Sequence, residues 1–175
     1  MSRPALIVID MVNPYDFPDA EKLIPSVEQT LPAIREAIDR ARREEVLTIY
    51  VNDNYGKWRS DSDELVEQAL DSPHRDLVEP IAPHEDALFV IKTRHSIFYS
   101  TPLEYLLRQE DVDSVILVGQ VTEQCVLYSA LDAYIRHFEV RVPGDAVAHI
   151  YPELAEAALK MMERNMKADL SPVRG

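Results

Sequence analysis

A chain of 175 residues that is 46% apolar and 28% charged is too hydrophobic for disorder and long enough to bury a core as one domain spanning residues 1–175. Its formal net charge of −13 excludes a broad phosphate-binding surface, so nucleic acid is not an expected partner. The single cysteine cannot form an internal disulfide, and the first apolar run is too short for a signal peptide or a membrane span, so a cytoplasmic setting without membrane contact is expected.

Residues 5–9 (ALIVI) are the first of several short apolar runs. Residues 26–43 then place Val27, Leu31, Ile34, Ile38 and Ala41 on one helical stripe, with Pro32 leaving the helix start open. Further strands are predicted at 46–51 (VLTIYV), 87–91 (ALFVI), 114–118 (SVILV) and 138–142 (FEVRV). All but the last are nearly continuous apolar runs, as in parallel strands covered on both faces. Thr101-Pro102-Leu103-Glu104 has the form of a capping box, with Leu103, Leu106 and Leu107 on one face beyond it. Thr122 is a suitable N-cap for a helix whose buried face would be Leu127, Leu131, Tyr134, Ile135 and Phe138. Tyr151-Pro152 opens a last helix, with Leu154, Ala158, Met161 and Met162 at helical spacing. Alternating strands and helices joined by right-handed crossovers imply a mostly parallel sheet between helical layers.

Ligand sites in such sheets lie beyond the carboxyl ends of the strands. Asp10 ends the first run, Asn52-Asp53-Asn54 follow the second, Lys92 ends the third, and residues 119–125 (GQVTEQC) follow the fourth. One edge of the sheet therefore collects a carboxylate, an ammonium and a thiol, which are a base, a cation and a nucleophile. Cys125 would fall in the first turn of its helix, where the dipole and a nearby Lys92 would lower the thiol pKa. A lone cysteine equally suits a small inert core residue, and a strand-terminal Asp or Lys equally suits a solvated turn.

Three segments, ALIVIDMVNPYDF, VIKTRHSIFYSTPL and VILVGQVTEQCVLYSALDA, resemble in order and spacing the isochorismatase-like cysteine hydrolases, which include nicotinamidases and N-carbamoylsarcosine amidase. The resemblance covers nearly the whole chain. It implies a three-layer α/β/α sandwich, a Rossmann-like six-stranded sheet in the order 3-2-1-4-5-6, with the last short strand near residues 168–170. It also implies a catalytic triad of Asp10, Lys92 and Cys125, an oxyanion hole formed by the backbone N–H groups of Val121 and Cys125, and a cis peptide between Gln120 and Val121. In that strand order Lys92 and Asp10 start about 10 Å apart, two strand spacings. The lysine side chain and a bend after Ile91 would have to close the gap.

The chain departs from the nicotinamidase pattern after its second strand. Nicotinamidases carry an Asp-x-His motif and a further histidine there, whereas YVNDNYGKWRSD has no histidine; His74 and His84 read as surface or loop residues. No metal and no cofactor are expected, and nicotinamide is disfavoured as substrate. Vinyl-ether-cleaving relatives lack the nucleophilic cysteine, so its presence here disfavours ether hydrolysis. The resemblance leaves cysteine-dependent hydrolysis of the C–N bond in a small amide, ureide or carbamoyl compound through a thioester. Asn13, Tyr15, Phe17, Asn54, Trp58, His95 and Phe98 are candidates to line the substrate pocket. The alternative is a non-catalytic or regulatory binding protein on the same scaffold. A thiol redox role would require a second cysteine from another subunit. Relatives commonly form homo-oligomers, and Tyr55 and Trp58 could serve such an interface.

Overall fold

The computed structural model describes residues 3–59 and 61–174. Six strands, β1 (Pro4–Ile9), β2 (Leu47–Asp53), β3 (Leu88–Lys92), β4 (Ser114–Gln120), β5 (Glu139–Arg141) and β6 (Val147–Ala148), form one sheet. Its order is β3-β2-β1-β4-β5 with β6 beside β4, and every strand pair is parallel. Among the described residues six α-helices cover it: α1 (Ala20–Arg43), α2 (Ser62–Leu70), α3 (Arg75–Val78), α4 (Leu103–Gln109), α5 (Leu127–Ile135) and α6 (Pro152–Met166).

Alternation along β1 divides the core between two layers. Ala5, Ile7 and Ile9 face α4, α5 and α6, while Leu6 and Val8 face α1, α2 and α3. The strands are therefore apolar on both faces, which is why they read as unbroken runs. The last strand lies elsewhere than expected. At residues 168–170 there is only a single parallel bridge from Asp169 to Arg141, and the sixth strand is Val147–Ala148 on the carboxyl end of β4.

Helix α1 begins six residues earlier than its stripe suggested and carries both Pro25 and Pro32 inside it. Both prolines face solvent, so water can satisfy the carbonyls that they leave without a partner. The capping box at residues 101–104 does not form: Pro102 holds the cap position and the Glu104 carboxylate pairs with Arg136 at 2.7 Å.

The buried faces of α5 and α6 also differ from the periodic reading. Ser129, Ala130 and Ala133 are the buried residues of α5, while Leu131, Tyr134 and Ile135 are exposed. In α6, Ala155, Ala158, Met162 and Met166 face the core, whereas Leu154 and Met161 do not. Small side chains occupy the same helical period as large ones and let the helices approach closely. Choosing the stripe by side-chain size selects the flank instead.

Candidate active site

The site grows from strand register. β1 lies between β2 and β4, with Ile9 opposite Val51 on one side and Gly119 on the other, and Asp53 is opposite Lys92. Asp10, one residue past β1, has a left-handed backbone (φ 56°). Its own N–H donates to Val51 O at 3.0 Å, and its Oδ1 accepts the Asp53 N–H at 2.8 Å. Asn52 holds the following loop by accepting the Val12 N–H and donating to Val12 O, both at 3.0 Å.

Lys92 is fully buried, and its Nζ lies 3.0 Å from Asp10 Oδ2, 3.5 Å from Asp53 Oδ2 and 3.7 Å from Cys125 Sγ. The gap between the first and third strands is crossed without a bend after Ile91, because Lys92 stays in register with Asp53. The extended lysine passes over β2, and the sharp turn occurs at Asp10.

Cys125 is carried by a less regular device. Gly119 sits so close to β1 that a Cβ there would be 2.2 Å from Ile9 O, and its φ of +118° also requires glycine. The Gln120–Val121 peptide that follows is cis. Gln120 donates from Nε2 to Asp10 O at 2.7 Å and accepts from the Tyr15 hydroxyl at 3.4 Å. Residues Thr122–Val126 then form a π-helical turn, closed by Val126 N–H to Val121 O at 3.1 Å, which runs into α5.

Thr122 is therefore not an N-cap. Val121 holds that position without a side-chain bond, and the Thr122 hydroxyl donates to Ala148 O at 2.9 Å. The buried Glu123 accepts the N–H groups of Ile150 and Tyr151 at 3.0 and 2.8 Å. These two side chains fasten the nucleophile-bearing turn to β6 and to the start of α6.

Electrostatics at the sulfur differ from the expectation of a lowered thiol pKa. Burial first, and then the Asp10 carboxylate, push the Cys125 thiol up, with Lys92 pulling it partly back. Burial also raises Asp10, against the opposing pull of Lys92 and of hydrogen bonds from Cys125, Lys92 and the Asp53 backbone. Burial alone would lower Lys92, but Asp10, Cys125 and Asp53 outweigh it and hold the ammonium above its ordinary value. Lys92 Nζ thus contacts both the Asp10 carboxyl group and the Cys125 sulfur.

Above these groups opens a cavity of about 580 Å³ lined by Asp10, Asn13, Phe17, Asp53, Tyr55, Gln68, His95, Gln120, Val121 and Cys125, among others. Of the pocket candidates, Asn13, Phe17 and His95 do line it. Val121 and Cys125, whose N–H groups were assigned to the oxyanion, line it as well.

Four candidates do not line the cavity. Tyr15 is buried behind it, bonded to Gln120 and edge-on to His74. Asn54 closes a turn by accepting the Gly56 N–H at 2.9 Å. Trp58 is 80% exposed outside it. Phe98 is core, stacked on Phe138 beneath the Arg136 guanidinium.

Sequence reasoning placed Asp53 on the strand-end edge without giving it a role, and missed Tyr55 and Gln68 as lining residues. Tyr55 is half-buried in the cavity wall, where its hydroxyl donates to Val12 O at 3.0 Å. Gln68 arrives on α2, whose start was legible in Asp61-x-x-Glu64, since Asp61 accepts the Glu64 N–H at 3.0 Å. Asn52, Asp53 and Asn54 are all engaged in the hydrogen bonds above, and among the described residues no three His, Cys, Asp or Glu side chains converge as a ligand set.

A strand-end carboxylate, a buried lysine and a thiol on a helical turn thus meet at one edge of a parallel α/β sheet. Residues 4–172 match the isochorismatase domain model, and the chain belongs to the isochorismatase family. It is 35% identical over 167 residues to the uncharacterized isochorismatase family protein YaaI of Bacillus subtilis (strain 168), covering 95% of this chain and 92% of that protein. It is 27% identical to a maleamate amidohydrolase of Pseudomonas putida, covering 90% and 78% of the two chains. The crystal structure of N-carbamoylsarcosine amidase from Thermoplasma acidophilum superposes with a TM-score of 0.79 at 27% identity, covering 100% and 98% of the two chains. Two of these three relatives, the maleamate amidohydrolase and the N-carbamoylsarcosine amidase, are hydrolases that act on amides.

Proposed function

We propose that this protein hydrolyses the C–N bond of a small carboxamide, ureide or carbamoyl compound through a thioester on Cys125. The observation that carries this reading is the contact of Lys92 Nζ with both Asp10 Oδ2 (3.0 Å) and Cys125 Sγ (3.7 Å) on the floor of the cavity. The raised thiol pKa fits a nucleophile that gives up its proton only as it attacks, to a carboxylate already in place.

In the first half-reaction Asp10 takes the Sγ proton as sulfur bonds to the carbonyl carbon, and the carbonyl π electrons move onto oxygen. The backbone N–H groups of Val121 and Cys125 receive that oxyanion. Its collapse breaks the C–N bond while Asp10 passes the proton to the departing nitrogen, leaving a thioester and free ammonia or amine. In the second half-reaction water attacks the thioester carbon and gives its proton to Asp10. Cleavage of the C–S bond then returns that proton to sulfur. Lys92 stays charged throughout and holds Asp10 and the thiolate together.

Ammonia release measured across a panel of small primary amides, ureides and carbamoyl compounds tests the reading. Turnover of at least one compound is expected, with at least a thousandfold loss in Cys125→Ala. Undiminished turnover in that variant would refute the assignment.

A further inference from the structure

The sulfur of Cys125 has a second neighbour that the mechanism above does not use. His95 Nδ1 lies 3.9 Å from Sγ, and both residues line the cavity. The approach is built into the fold rather than left to a loose loop. Lys92, three residues earlier, is fixed in β3 by register with Asp53. Immediately after His95, the Ser96 hydroxyl bonds Asp132 Oδ2 at 2.5 Å and the Ile97 N–H donates to Ser129 Oγ at 3.1 Å. Ser129 and Asp132 both belong to α5, the helix that continues directly from the turn bearing Cys125. Strand and helix thus clamp the histidine backbone on either side, and the imidazole stands edge-on to Tyr128, 5.5 Å between ring centres.

We propose that His95 is a further catalytic residue, donating its Nδ1–H to the Cys125 sulfur whenever that sulfur carries negative charge. The inference rests on Cys125 being the nucleophile. A thiolate forms at two points in the cycle, before attack and as the thioester C–S bond breaks. Only one cation, Lys92, serves it from the floor. The other charged or titratable groups around the thiol are Asp10 at the end of β1, Asp53 at the end of β2, and Asp16, Tyr55 and Lys57 along the cavity wall. Asp10 and Asp53 both oppose charge on the sulfur. A donor on the open side offsets them and transfers no proton, so the path of the proton through Asp10 is unchanged. Because His95 is exposed and its flanking bonds belong to its neighbours, its side chain can be replaced without disturbing the clamp.

The test compares two replacements of equal size. His95→Asn keeps an N–H donor near the Nδ1 position, whereas His95→Leu removes it at the same bulk, so access to the sulfur is matched. The readout is the rate of Cys125 alkylation by iodoacetamide as a function of pH, which needs no substrate. A hydrogen bond to a charged group changes the thiol equilibrium by about one pH unit, so His95→Leu should react about tenfold more slowly than His95→Asn throughout the rising limb, with wild type near the Asn variant. Superimposable profiles for the two variants would overturn the proposal, as would a faster Leu variant. Lys92→Met is run alongside. If it alone slows alkylation, the nucleophile assignment stands and only the role of His95 fails. If neither Lys92 nor His95 matters, the nucleophile reading fails with it.

Discussion

The two sides of the Cys125 sulfur are made in different ways. On the floor, Asp10, Lys92 and Asp53 come from three adjacent strand ends in parallel register, they are tied to one another, and Lys92 is wholly shielded from solvent. Toward the opening, Phe17, Lys57, Gln68 and His95 come from three connections and a helix; Lys57 and Gln68 bond each other, and His95 reaches the sulfur itself. Register fixes the floor to within the reach of one lysine side chain. The wall depends on loop lengths and on how α2 is seated. Chemistry should therefore be lost steeply when the floor is changed, whereas changes at Phe17, Lys57 and Gln68 in the wall should alter which amide is taken and how tightly.

The largest expected effect lies on the floor. Asp10→Asn keeps the side-chain volume and removes the proton acceptor, so kcat should fall about a thousandfold or more, in line with loss of a general base, while KM changes little. The same variant carries a pH signature in stability. Burial raises Asp10 above its unfolded value, so the folded protein holds a proton that the unfolded chain has released. Stability should then decline as pH rises from about 4 through the folded pKa. Urea unfolding midpoints of wild type minus Asp10→Asn, taken at acid and neutral pH, should shrink in that direction. A difference that grows with pH would mean that Lys92, not burial, dominates at Asp10.

A smaller effect is expected at the wall. Gln68 is bonded to Lys57 above the cavity, and Gln68→Ala should raise KM for the best substrate less than tenfold and leave kcat within about twofold, as for a contact made equally in ground and transition states. Steady-state kinetics would separate the two. A kcat loss comparable to that of Asp10→Asn would erase the distinction between floor and wall.

The same division governs what could be read from the sequence. Unbroken β-branched runs gave away the parallel strands, and the residues ending them gave away Asp10 and Lys92, because strand ends have fixed places in such a sheet. The cavity wall was partly hidden. Tyr15 and Phe98 have the composition of pocket aromatics, yet one bonds Gln120 from behind and the other packs under Arg136. Gln68 gave no signal of its own, since only the tertiary seat of α2 brings it to the cavity. Around Cys125 the pattern misled in a specific way. Thr122 has the character of an N-cap, but its hydroxyl is used by Ala148 O, and the turn widens to i→i+5 bonding. The thiol was expected to be activated by the dipole and Lys92. Burial next to a carboxylate outweighs both, and no residue pattern reports burial depth.

The central claim is that Cys125 forms a covalent bond to the acyl part of its substrate. Intact-protein mass spectrometry of enzyme quenched in acid during turnover measures this directly. The account predicts a mass increase equal to the acyl group less one hydrogen, localised by digestion to Cys125 and released by hydroxylamine. Continued turnover with an unmodified cysteine at every quench time would contradict it.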